Sequence, residues 1–282
     1  MKAWAPPGTT LVERLGTGSV FEVGVVRGEG GQSLLCKRVN PELAEAGEPA
    51  LAREIEVLRA CSAAHETRAS VLIVPEWVGS GTDGRGAFLL ETVAPGCSLR
   101  EFVFANGRVL EPGLWLRMAR SLTRALAELH ALADASGGLD IVHGDVSPDN
   151  IFVEPPGRIT FIDFSSATWR GAPKPALAHD RGTVPYAPPE LVRGEMQANF
   201  ATDTYALAAT LLAAAMGSIT DAGNDAGKLL ETGERGLRVD RWMANTSFPE
   251  GVRAALAVAL RFDPAQRTSS AAELAAALDA AK

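Results

Sequence analysis

The stretch "IVHGDVSPDN", residues 141 to 150, gathers His143, Asp145, Asp149 and Asn150 into eight positions, between an apolar run of helical spacing and the short β-like run "IFV". A further carboxylate, Asp163, ends the hydrophobic run Ile159 to Ile162. Carboxylate and amide oxygens are hard ligands of the kind Mg²⁺ takes, with one or two protein carboxylates commonly completed by substrate phosphates. On that chemistry Asn150 and Asp163 hold metal, and Asp145 is left to orient an attacking hydroxyl and accept its proton. The same residue types also serve structure alone: Asp145 capping a turn, Asn150 in a local backbone bond, Asp163 capping a strand end.

Two more charges belong with this set. Lys37, near the end of the strand-like "QSLLCKRV", is either a strand-edge lysine or an ammonium reaching phosphate oxygens with a carboxylate holding it in place. Glu54 adjoins the apolar stripe of Leu51, Ile55 and Leu58 on the helical segment "EPALAREIEVLRAC", where it is either solvated or buried against Lys37. The turn "GTGSVFEV" (16 to 23) lies between two strands. The dinucleotide fingerprint needs a strand followed by a helix, so it fits poorly, and no GxxxxGKT loop exists. Glycine between antiparallel strands leaves an ordinary hairpin or a turn whose N–H groups cover phosphates.

The elements that must position these groups fall into two kinds. "TLVERLG", "SVFEVGVVRG", "QSLLCKRV", "VLIVPEWV" and "GAFLLETV" predict five strands, the last two joined by "GSGTDGRG", with one helix between the third and fourth. That is a small lobe of mostly antiparallel strands. From residue 98 the pattern turns helical: "LWLRMARSLTRALAELHALA" spaces Met118, Leu122, Ala125 or Leu126, and Leu129 along one face, and the strand-like "IFVE" and "ITFID" follow. An irregular stretch from Ser165 to Pro189 leads to "YALAATLLAAAM", a helix buried on nearly every side. Ser270 and Glu273 open the last helix in capping-box spacing. "TVAPGCS" divides the lobes, and the fold class is α+β.

The 282 residues suffice for one large domain or two closely packed lobes. With 27 Lys and Arg against 34 Asp and Glu, the net charge of -7 comes without a charged tail, which argues against non-specific grip on nucleic acid or anionic membrane. Cys36, Cys61 and Cys97 have no metal-like spacing, and a reducing compartment is expected. No apolar run approaches the roughly 20 residues of a membrane span, and "MKAWAPPGTT" does not resemble a signal peptide. A cytoplasmic location is expected.

The succession of glycine loop, strand lysine, helix glutamate, Asp and Asn loop, and strand-end aspartate resembles eukaryotic-type Ser/Thr protein kinases, in a divergent, bacterial-like form, from about residue 11 to 275. "VHGDVSPDNIFV" resembles the catalytic loop and "IDFS" the metal-binding segment. The resemblance implies one bilobal kinase domain over 1 to 282: a β-rich N-lobe with one major helix to about 93, a hinge at about 91 to 97, and a mainly helical C-lobe from about 98. It implies Asp145, Lys37 and Glu54 as catalytic residues and Asn150 and Asp163 as metal ligands. ATP contacts fall on Gly16, Gly18, Ser19, Val23, Leu35, Lys37, Leu90, Glu91, Val93 and Phe152. "LLETV" resembles the hinge, with Leu90 as gatekeeper and the backbone of Glu91 and Val93 on adenine. Glu190 in "GTVPYAPPE" is matched to Arg267, Asp203 to a support of the catalytic loop, and Thr183 to a brace beneath Asp145. His143 is expected to pack beneath Phe164. The implied cofactors are ATP and Mg²⁺, with Mn²⁺ as its substitute. The implied partner is a protein substrate, with a regulatory protein partner left open, and neither nucleic acid nor a membrane span is expected.

The sequence departs from that pattern at Phe21 (for the third loop glycine), Leu35 (for a small alanine), Ser147 (for a lysine beside the catalytic aspartate), Ser165 (for a glycine) and Gly144 (for an arginine that reads an activation-segment phosphate). Phosphorylation of the segment is therefore not expected to switch activity. Two alternatives accompany the protein kinase reading: a nucleotide-binding pseudokinase that acts as a regulator or scaffold, and a small-molecule kinase, whose loop "HGD" also resembles.

Overall fold

The computed structural model describes residues 4–17, 20–64, 70–104, 110–155, 157–172, 182–183, 186–216 and 248–281. Strands β1 (Thr9–Thr17), β2 (Phe21–Gly28) and β3 (Ser33–Val39) form a meander, continued by β6 (Gly86–Thr92) and then β5 (Trp77–Asp83) in a five-stranded antiparallel sheet. Alternation along each strand gives this sheet two faces. Phe21, Val23, Leu35, Lys37, Leu89 and Glu91 share the inner face, toward helix α1 (Ala44–Ala63). Val26, Leu34, Cys36 and Leu90 share the outer face, where Trp4 covers them. A Cβ on Gly24 would lie 2.7 Å from the Trp4 ring, so glycine lets the indole lie flat there. Arg38 Nε donates to the Trp4 carbonyl at 2.7 Å, and its guanidinium pairs with Asp83.

The sequence expectation holds for the first three strands and is corrected for the next two. "VLIVPEWV" is not one strand: Leu72–Ile73 (β4) pairs in parallel with β11 (Arg158–Phe161) in the other lobe, and β5 starts only at Trp77. Pro75 cannot donate to a ladder, so the run breaks around it. β5 then continues through most of "GSGTDGRG", leaving Gly84 and Arg85 as the turn of a tight hairpin, Asp83 opposite Gly86. The helix starts earlier than its apolar stripe. Its buried residues are Gly47, Leu51, Glu54, Val57, Leu58 and Cys61, and Ile55 is only partly buried.

The larger lobe is organised by α5 (Phe200–Met216), whose buried residues run almost without interruption from Thr202 to Ala215, as expected of an Ala- and Leu-rich core helix. Against it lies α3 (Pro112–His130), where Pro112 takes the first helical position and the Glu111 carboxylate accepts from Gly113 and Leu114 N–H. Trp115 Nε1 donates to the Leu211 carbonyl at 3.0 Å, joining the two helices inside the core. A second, four-stranded sheet is ordered β4-β11-β10-β7, with β10 at Ile151–Glu154 and β7 at Cys97–Ser98. The last helix, Ala271–Ala280, is capped by Ser270, whose hydroxyl accepts from Glu273 N–H. The reciprocal carboxylate bond goes to Ser269 N–H, at 2.9 Å. No described helix is long and apolar enough to cross a membrane.

Glu190 and Arg267, paired on sequence grounds, meet as a buried bidentate ion pair, with Arg267 Nη2 to Glu190 Oε2 at 2.8 Å. Arg267 also donates to the Phe262 and Arg261 carbonyls and lies 4.5 Å from the Tyr205 ring centroid. Removing one partner strands the other charge in the interior. Arg267→Ala is expected to lower unfolding free energy by about 3–5 kcal/mol in urea titration, and Glu190→Gln in that background to recover part of the loss.

Candidate active site

Lys37 on β3 and Glu54 on α1 are both buried, and the ammonium donates to the two carboxylate oxygens at 2.8 and 2.7 Å. It also donates to Asp163 Oδ1 at 3.0 Å, across the lobes. Glu54 Oε1 accepts from Phe164 N–H at 3.2 Å, which fixes the turn after β11 to the helix. Burial opposes the charged ammonium, yet Asp163, Glu54 and Glu91 together outweigh it and raise the Lys37 pKa. For Glu54 burial wins over the pull of Lys37 and pushes the carboxyl up to about 7. Asp163 is half-buried. Burial again works upward, but Lys37 and the Ser165 contact hold it down to about 2, so it is a carboxylate at neutral pH.

Asp163 sits at φ 63°, ψ 72°, the left-handed region that short polar side chains tolerate better than others. Asp145, in the loop before β10, has its Oδ1 held by Thr183 N–H and Oγ1 at 2.6 and 2.7 Å. Its Oδ2 accepts from Asn150 Nδ2 at 3.0 Å. Burial raises the Asp145 pKa against the pull of the two Thr183 bonds and of His143. Asn150 spends its amide nitrogen on the Asp145 carbonyl (2.9 Å) and carboxylate, so its Oδ1 remains as an acceptor. That oxygen and the Asp163 carboxylate fit a hard cation that draws its other ligands from phosphate. Among the described residues no group of three His, Cys, Asp or Glu could hold a metal by itself.

Asp203, at the start of α5, holds the loop's backbone. Its carboxylate accepts from His143 N–H (2.7 Å) and Gly144 N–H (2.9 Å) and lies 3.0 Å from His130 Nε2. His143 Nδ1 accepts from Asp145 N–H at 3.3 Å and its Nε2 lies 3.0 Å from the Ile162 carbonyl. Both ring nitrogens are thus spent on backbone, and the ring packs 5.0 Å from the Phe164 centroid, a brace rather than a base.

The nucleotide-contact set divides. Gly16, one residue before the end of β1, lies opposite Val23, while Gly18 and Ser19 lie outside the described residues. Leu35 and Val23 face the cleft beside Lys37, and the Phe21 ring sits 5.1 Å from the Lys37 ammonium, on the same inner face. Phe152, on β10, is half-buried, and Val93 is exposed just past β6. The hinge register needs correction. Leu90 lies opposite Cys36 and packs on the outer face with Trp4, so it cannot gate the cleft. Glu91 is opposite Leu35 and takes the inner position; it is paired on both edges, with Leu35 and Trp77, so free hinge backbone begins only after Thr92. The shift follows once Lys37 is paired with Leu89, because facing alternates by twos from there.

Sequence reasoning also missed Arg53, next to Glu54, whose Nη1 donates to the Ser165 carbonyl at 2.9 Å. Ser147 is buried and its Oγ has no partner among the described residues.

The chain matches the protein kinase domain family over residues 9–278. It is 31% identical over 73% of its length to the protein named "Probable serine/threonine-protein kinase PkwA" of Thermomonospora curvata, covering 26% of that protein. It is 29% identical over 67% of its length to "Serine/threonine-protein kinase PrkC" of Bacillus subtilis, covering 28%. To "Serine/threonine-protein kinase AfsK" of Streptomyces griseus it is 30% identical over 73% of its length, covering 24%. The chain thus spans about a quarter of the length of these relatives.

Gly144 has φ +80°, and a Cβ there would stand 2.3 Å from the Ser166 carbonyl oxygen. Any side chain at 144 therefore displaces the segment after Asp163 as well as straining its own backbone. Gly144→Ala is expected to cost about 1–3 kcal/mol of stability, read by thermal or urea unfolding, and Gly144→Arg at least as much.

Proposed function

This chain belongs to the protein kinase domain family, and from that premise we propose that it transfers the γ-phosphoryl group of ATP to a serine or threonine hydroxyl of a protein substrate, with Mg²⁺ or Mn²⁺ held by Asn150 and Asp163. The observation that carries the reading is the Asp145 carboxylate, oriented by Thr183 and Asn150 and placed in one cleft with the Lys37–Asp163 pair. A bound cation neutralises developing charge on the phosphoryl oxygens.

In that reading Lys37 binds phosphate oxygens while Glu54 keeps the ammonium from swinging away. Asp145 takes the hydroxyl proton as the substrate oxygen bonds to the γ-phosphorus and the bond to the β,γ-bridging oxygen breaks. Its burial raises its proton affinity, which suits a group that must accept a proton late in the step. Orientation and charge stabilisation supply most of the rate.

A second reading is favoured by one observation: Ser147 offers a buried, unpartnered hydroxyl where the resembling family places a lysine, so one positive charge near the moving phosphoryl is missing. The chain would then bind nucleotide without transferring it and act on a protein partner. Two variants separate the readings. Asp163→Ala is expected to weaken Mg-ATP binding by calorimetry. Asp145→Asn is expected to leave binding within about twofold and to lower radiolabel transfer by about a thousandfold or more. Transfer undiminished in Asp145→Asn rejects the enzyme mechanism, and binding without transfer in the wild type selects the second reading.

A further inference from the structure

Glu91 is 2% exposed. Strand register puts it on the inner face, opposite Leu35 and two positions from Leu89, the residue opposite Lys37. On the same inner face stands Lys37 of β3, whose ammonium holds Glu54 of α1 and Asp163 of the turn after β11. β5 contributes only Trp77 opposite it, which is uncharged. Three carboxyl groups thus fall on this side of the sheet with one ammonium. Two of them, Glu54 and Asp163, already hold it by hydrogen bonds, so nothing in the site compensates a third negative charge.

We propose that Glu91 is a positioning residue that acts through Lys37: as an uncharged carboxylic acid it leaves the ammonium to Glu54, Asp163 and a bound polyphosphate, and as a carboxylate it competes with that polyphosphate for the same ammonium. The reading rests on the cleft being a nucleotide site. Occupancy by an anion then brings proton uptake at Glu91, and affinity falls as Glu91 ionises. Burial first, then Glu54 and Asp163 against the opposing pull of Lys37, push the Glu91 carboxyl up to about 8, so the transition falls just above neutral pH.

The sign follows from linkage. A carboxyl whose folded pKa lies above its ordinary value, 4.5, binds protons more tightly when folded. Its folded form loses stability as pH rises across that window and changes no further above about 8. Glu91→Gln keeps the shape and cannot ionise.

Without nucleotide, the melting temperature of Glu91→Gln is therefore expected to rise relative to wild type between about pH 5 and pH 8 and then run parallel to it. In a Lys37→Met background the divergence should extend to higher pH, because the ammonium is what holds the Glu91 pKa down. If that variant unfolds, Glu54→Gln should move the divergence to lower pH. Curves parallel throughout, or a divergence that neither background moves, overturn the proposal.

With Mg-ATP, calorimetric affinity of the wild type is expected to fall about tenfold from near pH 6.5 to near pH 9, one pK unit of coupling, and that of Glu91→Gln by less than about twofold. The effect should appear in KM more than in kcat. Equal losses in both proteins also overturn the proposal. If neither binds ATP at any pH, the nucleotide assignment fails, and the ligand-free curves still decide whether Glu91 ionises against Lys37.

Discussion

One ammonium joins three elements that the sequence keeps far apart. Lys37 comes from a strand, Glu54 from a helix, and Asp163 from a turn 126 residues further along. Buried charge is tolerated only when it is paired with good geometry, so this site has little freedom: if the helix moves out or the turn flips, an ion is left unpaired in the interior. The second bond from Glu54, to Phe164 N–H, ties the helix to the same turn. Strand, helix and turn therefore occupy one mutually required arrangement, and the two lobes are held together at that point.

The opposite wall of the cleft is fixed by an acceptor rather than a donor. Asp203, buried at the head of the core helix, takes the N–H groups of His143 and Gly144, and so aims the loop that carries Asp145. Thr183 then closes on Asp145 from the segment beyond. Since α5 is packed on nearly every side, this anchor is as rigid as the core itself. The chemical groups sit on loops, and their precision comes from the helix and sheet behind them.

Much of this was legible in the sequence because the informative residues are polar groups in unusual company: Glu54 beside an apolar stripe, Asp163 at the end of a hydrophobic strand, Asp203 at the head of an apolar helix. Strand boundaries and facing were less legible. "VLIVPEWV" reads as one strand because each of its residues suits a sheet, but partner choice is non-local, and Leu72–Ile73 goes to the other lobe. The Leu90 and Glu91 assignment failed by one residue, which in a strand inverts the face. Leu90 was given the inner position by the resemblance of "LLETV" to the family's hinge, not by any pattern in the strand itself. The outer face, however, is itself covered by Trp4, so both faces bury side chains and alternation of polarity loses its meaning.

That covering by Trp4 has a mechanical side. The Trp4 carbonyl is held by Arg38, the residue next to Lys37 on β3, and its indole donates to Glu22 on β2 at 2.6 Å. Force applied to the backbone at residue 4 therefore passes directly into β2, which leaves the glycine turn, and β3, which carries Lys37. A tag or fusion domain attached ahead of Trp4 pulls in series with the cleft rather than swinging free of it. The length and stiffness of any such linker become variables of the site itself.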